Sequence, residues 1–97
     1  MITTKQRSVL RSLAQNIEPI GQIGKGGLSE NQINSFSDAL EKRELIKVSV
    51  LNNSDSDAKD LIQELADALN AIPVCAIGHK IVLYRKSKRK DIEHIKF

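Results

Sequence analysis

Cysteine occurs once in these 97 residues and tryptophan never, and there are three aromatic side chains: Phe36, Tyr84 and Phe97. A lone thiol cannot close a disulfide within the chain. Cys75, His79 and His94 are the only soft metal ligands, fewer than a structural zinc site uses, so no cofactor or metal is expected. Three rings are too few for a module that reads single strands by stacking bases on aromatic platforms. A chain of this composition that binds nucleic acid must hold the backbone by charge and main-chain amides. The first residues, Met1 to Arg7, lack the apolar centre of a secretory signal. No apolar run approaches the roughly 18 residues of a membrane span. The expectation is one soluble, cytoplasmic domain over 1–97, monomeric and without a membrane partner. Its ordered core spans about 4–86, followed by a basic tail over 86–97.

The charge is uneven. A net charge of +3 hides basic ends and an acidic middle. Lys5, Arg7, Arg11 and Lys25 oppose only Glu18 near the start, and Lys80, Arg85, Lys86, Lys88, Arg89, Lys90 and Lys96 oppose Asp91 and Glu93 near the end. Between them lie Glu30, Asp38, Glu41, Glu44, Asp55, Asp57, Asp60, Glu64 and Asp67. Such a molecule can turn one positive face to a polyanion, although mixed surface charge also serves solubility alone.

Along the chain, Thr3 or Thr4 caps a helix to about Asn16, with Leu10, Leu13, Ala14 and Ile17 as its buried stripe and Arg7 and Arg11 on one flank. Pro19 to Ile23 reads as a short strand. Ser29 followed by Gln32 is a capping box opening a second helix to about Lys42, with Ile33, Phe36 and Leu40 inside. Leu45 to Leu51 alternates as a strand, with Ile46, Val48 and Val50 on one face. Asn52-Asn53-Ser54 is a turn, and Asp55, Ser56 or Asp57 caps a third helix. That helix turns Ala58, Leu61, Ile62, Leu65 and Leu69 inward and Asp60, Glu64 and Asp67 outward. Pro73 starts a strand to Ile77, Gly78-His79 turns, and Lys80 to Arg85 returns as its hairpin partner. The end of the chain is polar and expected to fray, with Ile92, Ile95 and Phe97 docking weakly. The order α-β-α-β-α-β-β predicts a two-layer α/β domain with a four-stranded mixed sheet.

The sharpest motif is Gly24-Lys25-Gly26-Gly27, between a strand and a capped helix. Glycines there let the chain turn tightly and let a ligand approach the amides. The helix start adds free N–H groups and partial positive charge, and Lys25 adds a full one. The Gly-x-x-Gly spacing is that of a backbone-clamping KH loop; the four residues alone fit a plain strand-to-helix turn equally well. The nucleotide-binding P-loop string is missing, and the dinucleotide fingerprint fails at Ser29. His79 and His94 have no neighbours resembling a triad. Cys75 reads as a small core residue, and the carboxylates sit on solvated helix surfaces. No enzyme constellation emerges.

Taken together, Lys5-Gln6-Arg7-x-x-Leu10-Arg11, Pro19-Ile20, Ile23-Gly24-Lys25-Gly26-Gly27-Leu28, Ala39-Leu40, Glu44-Leu45-Ile46-Lys47-Val48, Ile77-Gly78-His79 and Val82-Leu83-Tyr84-Arg85 resemble the CRM domain (chloroplast RNA splicing and ribosome maturation). The likeness covers about residues 4–86 and is closest to the free-standing bacterial YhbY type. It implies a fold similar to the C-terminal domain of translation initiation factor 3. It further implies binding to RNA, namely ribosomal RNA of large-subunit precursors. The site would comprise Gly24, Lys25, Gly26 and Gly27, with Arg7, Arg11, Lys47 and Arg85 as basic motif positions. Lys86 and Lys88 of the tail would extend the positive track. Ala14-Gln15-Asn16 stands where an Ala-His pair is common, and Ala68-Leu69-Asn70-Ala71 replaces a Thr-Gly type of helix end. The competing expectations are a general or chromatin-type DNA-binding protein, and a module that docks a basic ribosomal protein on its acidic helix face.

Overall fold

The computed structural model describes residues 2–24, 26–51 and 57–97. The first helix, α1 (Thr4–Ala14), opens with Thr3, whose hydroxyl accepts from the Gln6 N–H while the Gln6 side chain takes the Thr3 N–H. The second, α2 (Glu30–Arg43), uses the same device, Ser29 with Gln32. Asp57 caps α3 (Ala58–Leu69) through the Asp60 N–H, and Asn70 closes it in the left-handed conformation. The expected turn at 52–54 and the alternative caps Asp55 and Ser56 lie outside the described residues.

The strands are β1 (Gln22–Ile23), β2 (Leu45–Val50), β3 (Ile72–Ile77) and β4 (Lys80–Tyr84), ordered β1-β2-β4-β3 in one sheet. β1 runs parallel to β2, while β2 and β3 both pair antiparallel with β4. The predicted mixed four-stranded sheet is therefore present. β1 is brief, but its pairing begins earlier, with Ile20 N–H donating to Lys47 O at 2.9 Å and Ser49 N–H to Gly21 O at 3.0 Å. Pro73 is tolerated inside β3 because that strand is an edge, with a register shift between Pro73 and Cys75.

Strand alternation sends side chains to two separate cores. Ile46, Val48, Val50, Ile81 and Leu83 pack with Phe36 and Leu40 of α2 and with Leu61, Leu65 and Leu69 of α3. Leu45, Val82 and Tyr84 face the other way, against Leu10 and Ala14 of α1. The expected two layers are thus three, with α2 and α3 on one face of the sheet and α1 on the other. The reason is that the sheet is apolar on both faces near α1, with Ile81 and Leu83 of β4 on one side and Leu45, Val82 and Tyr84 on the other, so each side needs a cover.

Two local expectations fail. α1 ends at Ala14 and continues as i→i+3 turns through Asn16, as expected, but Leu13 is 41% exposed because only the flank carrying Leu10 and Ala14 meets the sheet. The end of the chain does not fray: Ile95 and Phe97 pack on the α1-side core, and the Phe97 ring meets Tyr84 edge-on with centroids 4.9 Å apart. Among the described residues, no helix is long and apolar enough to cross a membrane.

Candidate nucleic-acid interface

β1 delivers the chain to the glycine loop, and α2 receives it. Gly26 has φ +95° and Gly27 φ +72°, a region that costs other residues about 1–2 kcal/mol. A Cβ added at either would touch nothing within 4 Å. The backbone angles, not packing, therefore require glycine, and the loop stands in open space. Gly27 N–H closes it by donating to Gly24 O at 3.2 Å. Lys25 lies outside the described residues. At the start of α2 the capping box uses the amides of Ser29 and Gln32, leaving those of Glu30 and Asn31 as helix-start donors without intrahelical partners. The Gln32 side-chain amide also donates to Gln22 O at 2.7 Å, fixing the helix start against β1. Glu30 places an exposed carboxylate in the first turn; it suits the helix dipole and competes with any second anion there.

The sheet brings further groups to the same end. Leu51 N–H donates to Ile23 O at 2.8 Å and Val50 N–H to His79 O at 2.7 Å. The glycine loop, the end of β2 and the Gly78-His79 turn are therefore neighbours. Lys80 begins β4 beside that turn, and its ammonium donates to Ser49 Oγ at 2.7 Å. On the α1 side of the sheet, Lys80 joins Lys47 of β2 and Arg11 of α1 around a cleft of about 250 Å³, none of whose lining residues is acidic. Cys75 lies in this cleft, half-buried rather than in the core; burial pushes its thiol up, against the opposing pull of Arg11, Arg7 and Lys47.

The remaining basic positions fall elsewhere. Arg7 donates to the carbonyls of Pro73 and Val74, the latter at 3.0 Å, pinning α1 to the edge strand. Arg85 donates to Leu69 O at 2.7 Å, Ser37 O at 2.9 Å and Glu41 Oε2 at 3.2 Å, joining the end of α3 to α2. Lys86 and Lys88 are exposed but follow the far end of β4, one strand length from the loop. The predicted basic set is therefore divided. Arg11 and Lys47 face the cleft, Arg7 and Arg85 are bonded within the fold, and Lys86 and Lys88 lie apart.

Two features of the structure escape the sequence. Lys80 reads only as the first residue of a strand; its place beside Lys47 follows from the β2–β4 register, which pairs Ser49 with Lys80 and Lys47 with Val82. The other is Glu44, which is fully buried. It accepts from Ser87 N–H and Ile95 N–H, both at 2.7 Å, and lies 2.8 Å from His94 Nδ1. Burial raises its carboxyl pKa, but the bonds from His94, Ser87 and Ile95 outweigh that and leave it below the usual value. Glu41 is also held low, chiefly by the Lys88 N–H and by Arg85.

Comparison with known proteins gives a consistent picture. The CRS1 / YhbY (CRM) domain matches residues 2–85. The Bacillus subtilis protein YqeI, named a probable RNA-binding protein, is 48% identical over 94 residues, covering 96% of this chain and 98% of its own. A Haemophilus influenzae protein named an RNA-binding protein is 37% identical, covering 95% of this chain and 93% of its own. The solution structure of SAV1595 from Staphylococcus aureus, described as a candidate RNA-binding protein, superposes with a TM-score of 0.78 at 53% identity, covering 98% of this chain and 100% of that one.

Proposed function

The chain belongs to the CRS1 / YhbY (CRM) domain family, and on that premise we propose that it is a non-enzymatic, cytoplasmic RNA-binding protein whose target is ribosomal RNA in large-subunit precursors. The observation that carries the reading is the glycine loop. Gly26 and Gly27 hold left-handed angles in open space at the mouth of a capped helix, on the sheet end that also carries His79 and Lys80. A sugar–phosphate strand laid there meets backbone N–H groups, the helix dipole and the Lys25 charge. Arg11, Lys47 and Lys80 continue the positive surface, and Lys86 and Lys88 give a second contact farther along the strand. Arg7 and Arg85 act as positioning residues, since their guanidinium groups bind carbonyls of the fold. The names of the relatives support RNA as the ligand, and the family resemblance supports the ribosomal precursor.

Phosphate binding of this kind releases cations, so log K should fall linearly with log salt, by about 0.7 per phosphate neutralised on a single strand. Lys25→Glu should weaken binding at least several-fold and make the slope shallower, while the thermal melt stays unchanged. Affinity that is flat across a salt titration, or untouched in Lys25→Glu, removes the loop from the interface. Competition by duplex DNA as effective as that by structured ribosomal RNA would instead favour a general DNA-binding protein.

A further inference from the structure

α1 ends at Ala14 with Gln15 as its cap, and so stops short of covering its face of the sheet. The uncovered half forms the cleft ringed by Arg11, Lys47 and Lys80. We infer that this cleft seats a single unpaired nucleotide of a bound RNA strand, with its base laid on the aliphatic floor and its phosphate held by the three cations. The inference rests on the RNA reading above and narrows it to one chemical group.

The floor is apolar: Ala14 and Val82 are buried, and Cys75 and the 57%-exposed Ile77 flank them. An exposed aliphatic side chain beside three cations with no acid among them suits a ligand that is flat and apolar on one part and anionic on another. A nucleotide has that division; a bare phosphate would leave Ile77 in water, and an apolar peptide would leave the cations unpaired. The cleft's size of about 250 Å³ is below the roughly 300–1,000 Å³ of drug-sized pockets, which suits one heterocycle. Lys80 is preset at the rim by its bond to Ser49 Oγ, 2.7 Å long. Gln15, exposed at the rim, offers both a donor and an acceptor to a base edge. In a helix the bases are stacked inside, so only a splayed base from a loop, bulge or end can enter. The aliphatic floor then replaces the aromatic platform that this chain lacks.

The chain's only cysteine lies in this cleft, so one thiol reports on it. The experiment measures the alkylation rate of Cys75 by iodoacetamide in the full chain. It is run with single-stranded RNA at saturation, as confirmed by fluorescence anisotropy, and in parallel with a perfect RNA duplex, inorganic phosphate and polyglutamate. The expected result is a several-fold slowing by the single strand alone. It should be lost in Lys47→Ser/Lys80→Ser, whose circular dichroism should match the parent. RNA that binds by anisotropy while Cys75 reacts at its free rate overturns the cleft proposal and leaves the RNA reading standing. Equal protection by the duplex, by phosphate or by polyglutamate also overturns it. Absence of any RNA binding overturns both.

Discussion

Glu44 shows how much a single side chain can depend on distant parts of the chain. Its backbone takes φ +65° at the end of α2, and its carboxylate has no exposed surface. Solvation is the default for a carboxylate at a helix end; here Ser87, His94 and Ile95 supply the bonds that water would have made. Those partners lie 43 to 51 residues away, so nothing local in the sequence marks this residue. Removing the acceptor leaves several donors unsatisfied. Glu44→Ala should cost about 2–3 kcal/mol in urea unfolding. The folded carboxyl holds its proton less tightly than the unfolded one, whose ordinary value is 4.5. Below that value the unfolded state binds more protons, so stability rises with pH there. The Glu44 contribution is fully present above pH 4.5 and lost as the pH falls through the folded value. Glu44→Gln should flatten that acid limb in urea titrations run between about pH 2 and 6.

Helix α2 was the most legible element. Its Ser29–Gln32 box, its glycine-rich approach and its Phe36 and Leu40 face are all local, and the structure shows each of them. Ser29→Ala removes the acceptor for the Gln32 N–H and should cost about 1 kcal/mol, lowering the melting temperature by roughly 4–8 °C in a calorimetric scan. Helix α1 is less legible. Leu10, Leu13, Ala14 and Ile17 fit a helical stripe, but the sheet meets the line through Arg7, Leu10 and Ala14. An arginine on that line argues for an outward face until its partners, the carbonyls beside the irregular Pro73–Cys75 pairing, are known. The charge of Arg7 therefore pointed to surface function, whereas its donors hold α1 to β3.

At the scale of the whole molecule, the tail is part of the fold. Its N–H groups bind Glu44 and Glu41, and Ile95 and Phe97 lie on the α1-side core. Deleting residues 86–97 should lower the urea midpoint well beyond the effect of Phe97→Ala, because it exposes Tyr84 and leaves the Glu44 carboxylate without His94, Ser87 and Ile95. The outer face of α3, with Asp60, Glu64 and Asp67 exposed, lies on the opposite side of the sheet from the cleft. Reversing it with Asp60→Lys/Glu64→Lys should leave RNA affinity unchanged or raise it in anisotropy titrations. A loss of affinity would place the acidic face in the interface and favour a module that docks a basic protein.

The elements and their order, the caps of α2 and α3 and the glycine loop follow from the sequence, because each depends on residues a few positions apart; the mixed sheet follows only indirectly, from the helices that separate three of the strands and the tight turn that joins the last two. Helical periodicity, strand alternation, Ser-x-x-Gln spacing and glycines between a strand and a helix are short-range signals. Which basic residues share a surface was decided only by tertiary structure. Strand register put Lys80 beside Lys47, and α1 covers only part of its face of the sheet, which leaves the cleft open. The folded-back tail turned Glu44 inward from the charged surface where its residue type suggested it would lie. Contacts of that range depend on how strands and tail align in space, and alternation and spacing along a single chain do not encode that alignment.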